Sequence, residues 1–168
     1  MNRLITIALP ILLLLAAAPL AIGDSEHIEL TDAVRREKHP EATFVAVSDG
    51  VTRYEWAGPD DGEVVVFVHG FSSPSFIWDN QFHAVADAGF RVLRYDQFGR
   101  GLSDRPDVIY DDALYDRQLL ELLDAFEVRR PVNLVGLSMG GATTIRFTDR
   151  HPERVARIAL MAPASFGA

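Results

Sequence analysis

The chain has 168 residues, no cysteine and a formal net charge of −8, with 48% hydrophobic and 24% charged residues. Such a length and composition fit one globular domain, and the acidic balance argues against nucleic-acid binding, which draws its affinity from clustered Lys and Arg. With no thiol present, disulfide scaffolding, thiolate zinc sites, iron–sulfur clusters, a Cys nucleophile and lipid attachment through an N-terminal Cys are all excluded.

The N-terminus carries Arg3, followed by an apolar run from Leu4 to Ile22, interrupted only by Thr6, Pro10 and Pro19; after Gly23 comes the acidic start Asp24-Ser25-Glu26. Residues 1–23 read as an export signal, with Ala21 and Gly23 offering a cleavage site before Asp24. The alternative is an uncleaved N-terminal membrane anchor, since the 19 residues of the run just suffice for a hydrocarbon core of about 30 Å. Either reading puts the folded part outside the cytosol: secreted or periplasmic after cleavage, membrane-anchored without it. Residues 24–41, with the cluster Arg35-Arg36-Glu37-Lys38, form a polar segment expected to be a short surface helix or a tether into the domain at 42–168.

Two β-rich runs come first in that domain, Thr43 to Val47 and Val51 to Ala57. Between them lies Ser48-Asp49-Gly50, which is hairpin chemistry because Asp and Gly tolerate positive φ. After the turn Gly58-Pro59-Asp60-Asp61-Gly62, the run Val64 to Val68 is apolar on both alternating faces, as expected of a central strand covered on both sides. A helix is expected from Pro74 to Ala88, with Trp78, Phe82 and Val85 at helical spacing and Gly89 as its stop, then a strand from Phe90 to Tyr95. A glycine-rich loop leads to a helix from about Asp111 to Phe126, carrying Leu119, Leu122, Leu123 and Phe126 on one face. The strand Val132 to Val135, a helix from Met139 to about Arg150 and a last strand from Val155 to Met161 complete the order. Strand and helix in alternation predict an α/β three-layer sandwich with a mostly parallel central sheet, and chemistry at the carboxyl ends of its strands.

Three motifs lie at such strand ends. Gly136-Leu137-Ser138-Met139-Gly140 stands between a strand and a helix, the setting of a nucleophile elbow: a strained turn that projects the Ser138 hydroxyl above the sheet. Gly136 and Gly140 are required there because side chains would strike neighbouring backbone. The helix N-terminus presents free N–H groups and a positive dipole end to an anionic intermediate. His69-Gly70-Phe71 follows the central strand; an oxyanion hole would take one N–H from Phe71 and one from Met139. His69 itself reads as a structural histidine rather than a proton carrier. Asp96-Gln97-Phe98-Gly99-Arg100-Gly101-Leu102-Ser103-Asp104 reads as a tight structural loop held by an Asp–Arg pair, in which Gly99 and Gly101 mark the bends and Asp96 is the one rival for a catalytic acid.

From about Val64 to Pro163 these motifs, in order and spacing, make the sequence resemble the α/β-hydrolase fold family, most closely its esterase, lipase and C–C-bond hydrolase branch. The resemblance implies Ser138 as nucleophile, Phe71 and Met139 as oxyanion donors, and His151-Pro152-Glu153-Arg154 as a connection into the next strand. Epoxide hydrolases and haloalkane dehalogenases of that fold carry Asp at the elbow, so Ser138 speaks against them. In the family the acid and then the histidine follow the serine on later strands. Here the only histidine after Ser138 is His151, at the far end of the intervening helix. The resemblance therefore implies a fold incomplete at its C-terminus, truncated before the catalytic acid and histidine, and a chain nearly inactive by itself.

The function expected of the full-length form is hydrolysis of carboxyl esters or related small acyl substrates through an acyl-enzyme at Ser138. The alternative is a non-catalytic domain of the same fold that binds a ligand or partner. A dinucleotide site is disfavoured because its fingerprint wants glycine at position 138, and a phosphate loop because no lysine is near. No paired His and carboxylate spacing implies a metal, and no cofactor is expected. The expected partner is a small-molecule substrate, with no nucleic acid.

Overall fold

Apart from Arg53 and Glu55, the two runs around Ser48-Asp49 consist of β-branched, aromatic and small residues. They pair as a hairpin: β1 (Thr43–Val47) lies antiparallel to β2 (Gly50–Ala57), with Val47 opposite Gly50. The two exceptions form an ion pair with each other at 2.8 Å. The turn is one residue tighter than the sequence suggests. Gly50 is already the first residue of β2, and it alone of Ser48, Asp49 and Gly50 takes a positive φ. Ser48 and Asp49 are instead held by side chains of a later helix, Glu121 accepting from Ser48 N and Oγ at 2.7 Å each and Arg117 donating to Asp49 at 2.6 Å.

The computed structural model describes residues 30–164, so the expected export signal or anchor, His27 and the last four residues lie outside the described residues. The chain divides at Thr31 into two parts, the second of which is a compact unit beginning at Asp32. The second contains α1 (Asp32–Lys38), β1 and β2, β3 (Val64–Val68), α2 (Asp79–Asp87), β4 (Arg91–Tyr95), α3 (Asp112–Ala125), β5 (Val132–Leu137), α4 (Met139–Arg150) and β6 (Val155–Met161). The six strands form one sheet in the order β1-β2-β4-β3-β5-β6. The β2–β4 pair is antiparallel, and β4–β3, β3–β5 and β5–β6 are parallel, so the sheet is parallel from β4 onward. Among the described residues no helix is long and apolar enough to cross a membrane.

The alternation along β3 explains the three layers. Val66 and Val68 point to one face, where they pack with Leu119, Leu122 and Leu123 of α3 and Phe147 of α4. Val65 and Phe67 point to the other, against Trp78 and Phe82. Burial on both faces is what an uninterrupted run of Val and Phe requires. The helix expected from Pro74 divides: Ser75–Trp78 is a 3₁₀ turn and only Asp79–Asp87 is α-helical. The tighter turn seats Trp78 on Phe67, ring centroids 4.7 Å apart. β5 runs two residues further than the sequence pattern suggests, to Leu137, carrying the sheet up to the elbow.

β6 differs from the other parallel strands. Among the described residues it pairs with β5 on one side only, and six of its seven residues are exposed.

Candidate active site

β5 meets α4 at Ser138, which has φ 52° and ψ −115°. This backbone conformation is rare for a residue with a side chain and costs of order 1–3 kcal/mol, so the surroundings must enforce it. Ser138 N donates to Met161 O at 3.0 Å, and Ser138 O accepts from Gly141 N at 3.0 Å and Ala164 N at 2.9 Å. The end of β6 and the residues after it thus grip the turn from outside.

Glycines grip it from inside. A Cβ on Gly136 would lie 2.5 Å from Gly140 O, and one on Gly140 would lie 2.2 Å from Val68 O and 2.4 Å from His69 O. The first turn of α4 is therefore pressed onto the carboxyl end of β3. Gly70 completes the junction, since a Cβ there would stand 3.3 Å from that of Ser138. The Ser138 side chain makes no capping bond to the helix it opens, and Met139, as the first helical residue, has no N–H partner within α4.

The loop after β3 is held by His69, which is fully buried. Its Nδ1 lies 2.7 Å from Gly70 O, and its Nε2 lies 2.8 Å from Gln97 N. A carbonyl only accepts and a backbone N–H only donates, so the bond pattern assigns the proton to Nδ1 and the lone pair to Nε2. Burial pushes the His69 pKa below its ordinary value, reinforcing the neutral form. Gln97 Nε2 also donates to His69 O at 2.6 Å, and Gln97 Oε1 accepts from Thr143 Oγ1 at 3.4 Å, tying this loop to α4.

The loop after β4 is not held as the sequence suggests. Among the described residues buried Asp96 makes no Asp–Arg pair; its Oδ1 accepts from Ser75 N at 2.8 Å and its Oδ2 from Leu102 N at 3.0 Å. Backbone amides, which lie within a few ångströms once the loop closes, take the place of the guanidinium. Gly101, at φ 52°, allows this closure, because a Cβ there would fall 2.0 Å from Asp96 Oδ2. A Cβ on Gly99 would meet the Tyr110 ring at 2.7 Å. Gln118 of α3 reaches into the same loop, its Oε1 accepting from Phe98 N at 3.0 Å and its Nε2 donating to Asp96 O at 3.2 Å. The ion pair of the loop is made by Asp104, and its cation is Arg35 of α1.

Arg100 turns the other way. It donates to Phe71 O at 3.1 Å, Phe98 O at 3.1 Å and Tyr115 Oη at 2.5 Å, and its guanidinium lies 4.5 Å from the centroid of the Phe71 ring. Beside it opens a cleft of about 500 Å³, mostly apolar, lined by Phe71, Arg100, Tyr110, Tyr115, Met139 and Thr143 among others. Burial raises the Tyr110 and Tyr115 phenols above their ordinary pKa, so both remain neutral donors at physiological pH.

The fold brings Ser138, Gly70, Phe71, Met139 and His69 to one end of the sheet and leaves other histidines elsewhere. His39 follows α1, its N–H bonded to Arg35 O at 2.9 Å. His83 is exposed on α2 beside Phe82. His151 closes α4, with Nε2 3.1 Å from Asp116 Oδ2; at about 1.5 Å per residue, α4 separates it from the elbow by nearly 20 Å. Both ring nitrogens of His69 are committed. Among the described residues no group of three His, Cys, Asp or Glu could hold a metal ion. Sequence reasoning missed the roles of Arg100, Gln97, Gln118 and the Met161–Ala164 grip. Only Arg100 carried a signal, as a cation in a glycine-rich loop, and its partners come from distant segments.

Residues 63–167 match the family described as alpha/beta hydrolase fold. A non-heme chloroperoxidase from Streptomyces lividans is 37% identical over 120 residues, which cover 70% of this chain and 43% of that protein. A 2-hydroxy-6-oxo-6-phenylhexa-2,4-dienoate hydrolase from Comamonas testosteroni is 36% identical over 128 residues, 73% of this chain and 43% of its own length. The solved structure of a hydrolase from Pseudomonas aeruginosa PA01 superposes with a TM-score of 0.71 at 32% identity, over 77% of this chain and 49% of that one. The chain thus spans less than half the length of these relatives.

Proposed function

This chain belongs to the α/β-hydrolase fold family, and from that premise we propose that its full-length product is a serine hydrolase acting on carboxyl esters or related small acyl compounds. The observation that carries the reading is the strained backbone of Ser138 at a strand-to-helix junction, held there by glycines and by the end of β6. A domain that only binds has no need of a serine in that conformation.

In the proposed reaction Ser138 Oγ attacks the carbonyl carbon of a substrate seated in the cleft beside Phe71 and Met139. The carbonyl oxygen gains the negative charge, and the N–H groups of Phe71 and Met139 receive it; loss of one such donor typically costs about a hundredfold or more in turnover. Collapse expels the alcohol and leaves the acyl group on Ser138, and water then releases the acid. The hydroxyl proton needs a base. None of the described histidines is placed for it, and in the family order the base follows the strands after β6. Loss of the base of a serine hydrolase lowers turnover by about 10⁶, so the reading requires a base from outside the described residues. The apolar stretch at residues 1–23 fits an exported enzyme, and recovery of the mature protein outside the cytosol with Asp24 at its N-terminus would support that.

The experiment is to express the complete coding region and treat the product with a fluorophosphonate probe and a p-nitrophenyl ester, with Ser138→Ala as control. Labelling and ester cleavage that both vanish in Ser138→Ala support the reading. A folded, unlabelled wild type would favour the non-catalytic binding domain.

A further inference from the structure

Phe71 poses a physical problem. Its backbone N–H is one of the two proposed oxyanion donors, yet its side chain is 67% exposed, so the protein core does little to hold it. A loop residue with so little burial would sample several conformations, and a donor displaced by even about 1 Å loses much of its effect on a developing charge.

The residue that holds it is Arg100. Nε donates to Phe71 O at 3.1 Å while the guanidinium plane covers the Phe71 ring at 4.5 Å, so one side chain restrains both the backbone and the ring of Phe71. Arg100 is itself fixed from behind, by Phe98 O in its own loop and by Tyr115 Oη in α3. Tyr115 is buried, and its ring centroid stands 5.8 Å from the same guanidinium. Among the described residues no carboxylate is paired with Arg100, whereas Arg146 and Arg150 nearby both reach Asp112. The bonds of Arg100 thus go to carbonyls, a phenol and two rings, which is the pattern of a brace rather than of an ion pair.

We propose that Arg100 is a positioning residue for the hydrolytic reaction: it holds the Phe71 peptide so that its N–H faces the oxyanion, and it acts through Phe71 without touching the reacting atoms. The inference rests on the serine-hydrolase reading. Lys at this position would keep the charge but present a single point donor with no planar face, so it would restrain either the carbonyl or the ring and not both.

The test uses the product of the complete coding region, with active sites counted by burst titration so that misfolded protein is excluded. Arg100→Met, which keeps the stem and removes the donors, is expected to lower kcat per titrated site roughly ten- to a hundredfold with KM changed less than about threefold. Arg100→Lys should recover part of that loss. Tyr115→Phe, which keeps the ring in the cleft wall but removes the hydroxyl behind Arg100, should lower kcat roughly two- to fivefold in the same direction with KM changed less than about threefold. An unchanged kcat per site in Arg100→Met, even with a reduced Tm, would make Arg100 merely structural and overturn the proposal. A rise in KM alone would overturn it too, by showing that Arg100 binds substrate. If Arg100→Met yields no titratable sites, Tyr115→Phe decides by itself, and an unchanged kcat there counts against the proposal. A wild type that neither labels nor cleaves esters is a different result, because it removes the serine-hydrolase reading and this inference with it.

Discussion

Ser138 carries a positive φ that only its surroundings justify. Glycine adopts that conformation freely, so Ser138→Gly is expected to raise stability by about 1 kcal/mol while abolishing fluorophosphonate labelling. Urea unfolding of the two proteins checks the first part, and a loss of stability in Ser138→Gly would show that the turn is not strained. His69 gives a pH dependence. In the unfolded chain it titrates near about pH 6.5, as histidines ordinarily do, but burial lowers its pKa in the fold and Nε2 is occupied as an acceptor. The unfolded chain therefore binds the extra proton first as the pH drops. The stability His69 contributes is fully present above about pH 6.5 and is lost as the pH falls toward its folded pKa. Urea midpoints should fall from about pH 7.5 to about pH 5, and His69→Gln should flatten that slope. Asp49, whose carboxyl the Arg117 hydrogen bond holds below its ordinary value, acts in the same direction but only below about pH 4.

At the scale of elements, part of the polar segment that the sequence presents as a surface helix or a tether, Asp32–Lys38, is the helix α1, and one of its residues anchors it to the domain. Arg35 is only 4% exposed. It pairs with Asp104, donates to Leu102 O at 3.4 Å and lies over the Phe44 ring, so it joins α1 to β1 and to the loop after β4. The same Asp104 carboxylate accepts from Val51 N at 2.7 Å. Removing the guanidinium leaves a partly buried carboxylate without its cation, and since Asp104 keeps some access to water the cost is moderated. Arg35→Met is expected to destabilise the domain by about 2 kcal/mol and to make the segment around Lys38 more susceptible to limited proteolysis. A change under about 0.5 kcal/mol in denaturant unfolding would return α1 to the status of a tether.

For the molecule as a whole, the uneven covering of the sheet dominates. β3 and β4 are buried on both faces, while β6 leaves Ile158, Leu160 and Met161 exposed and, among the described residues, one edge of its backbone unpaired. Open apolar edges template pairing with other chains. The 168-residue chain taken alone is therefore expected to self-associate as its concentration rises, and Ile158→Lys to suppress this, as read by light scattering. Monodisperse wild type at high concentration would contradict it. The same region has a constructive task, since Met161 O and Ala164 N hold the backbone of Ser138.

The order of strands and helices was legible because each periodicity reports which faces of an element are buried: Val64 to Val68 apolar on both sides, Leu119, Leu122 and Leu123 on one. The Gly136–Gly140 pattern was legible because close backbone approach tolerates only glycine, and that constraint is written into residue type. What sequence could not supply were contacts between distant segments. The burial that keeps His69 neutral, the backbone amides that replace an arginine at Asp96, the pairing of Asp104 with Arg35 and the brace of Arg100 on Phe71 all depend on groups that the fold brings together from separate loops and helices. Local patterning records what one element needs from its surroundings, whereas the partner that meets the need is chosen by whichever groups the closed sheet brings within hydrogen-bonding distance.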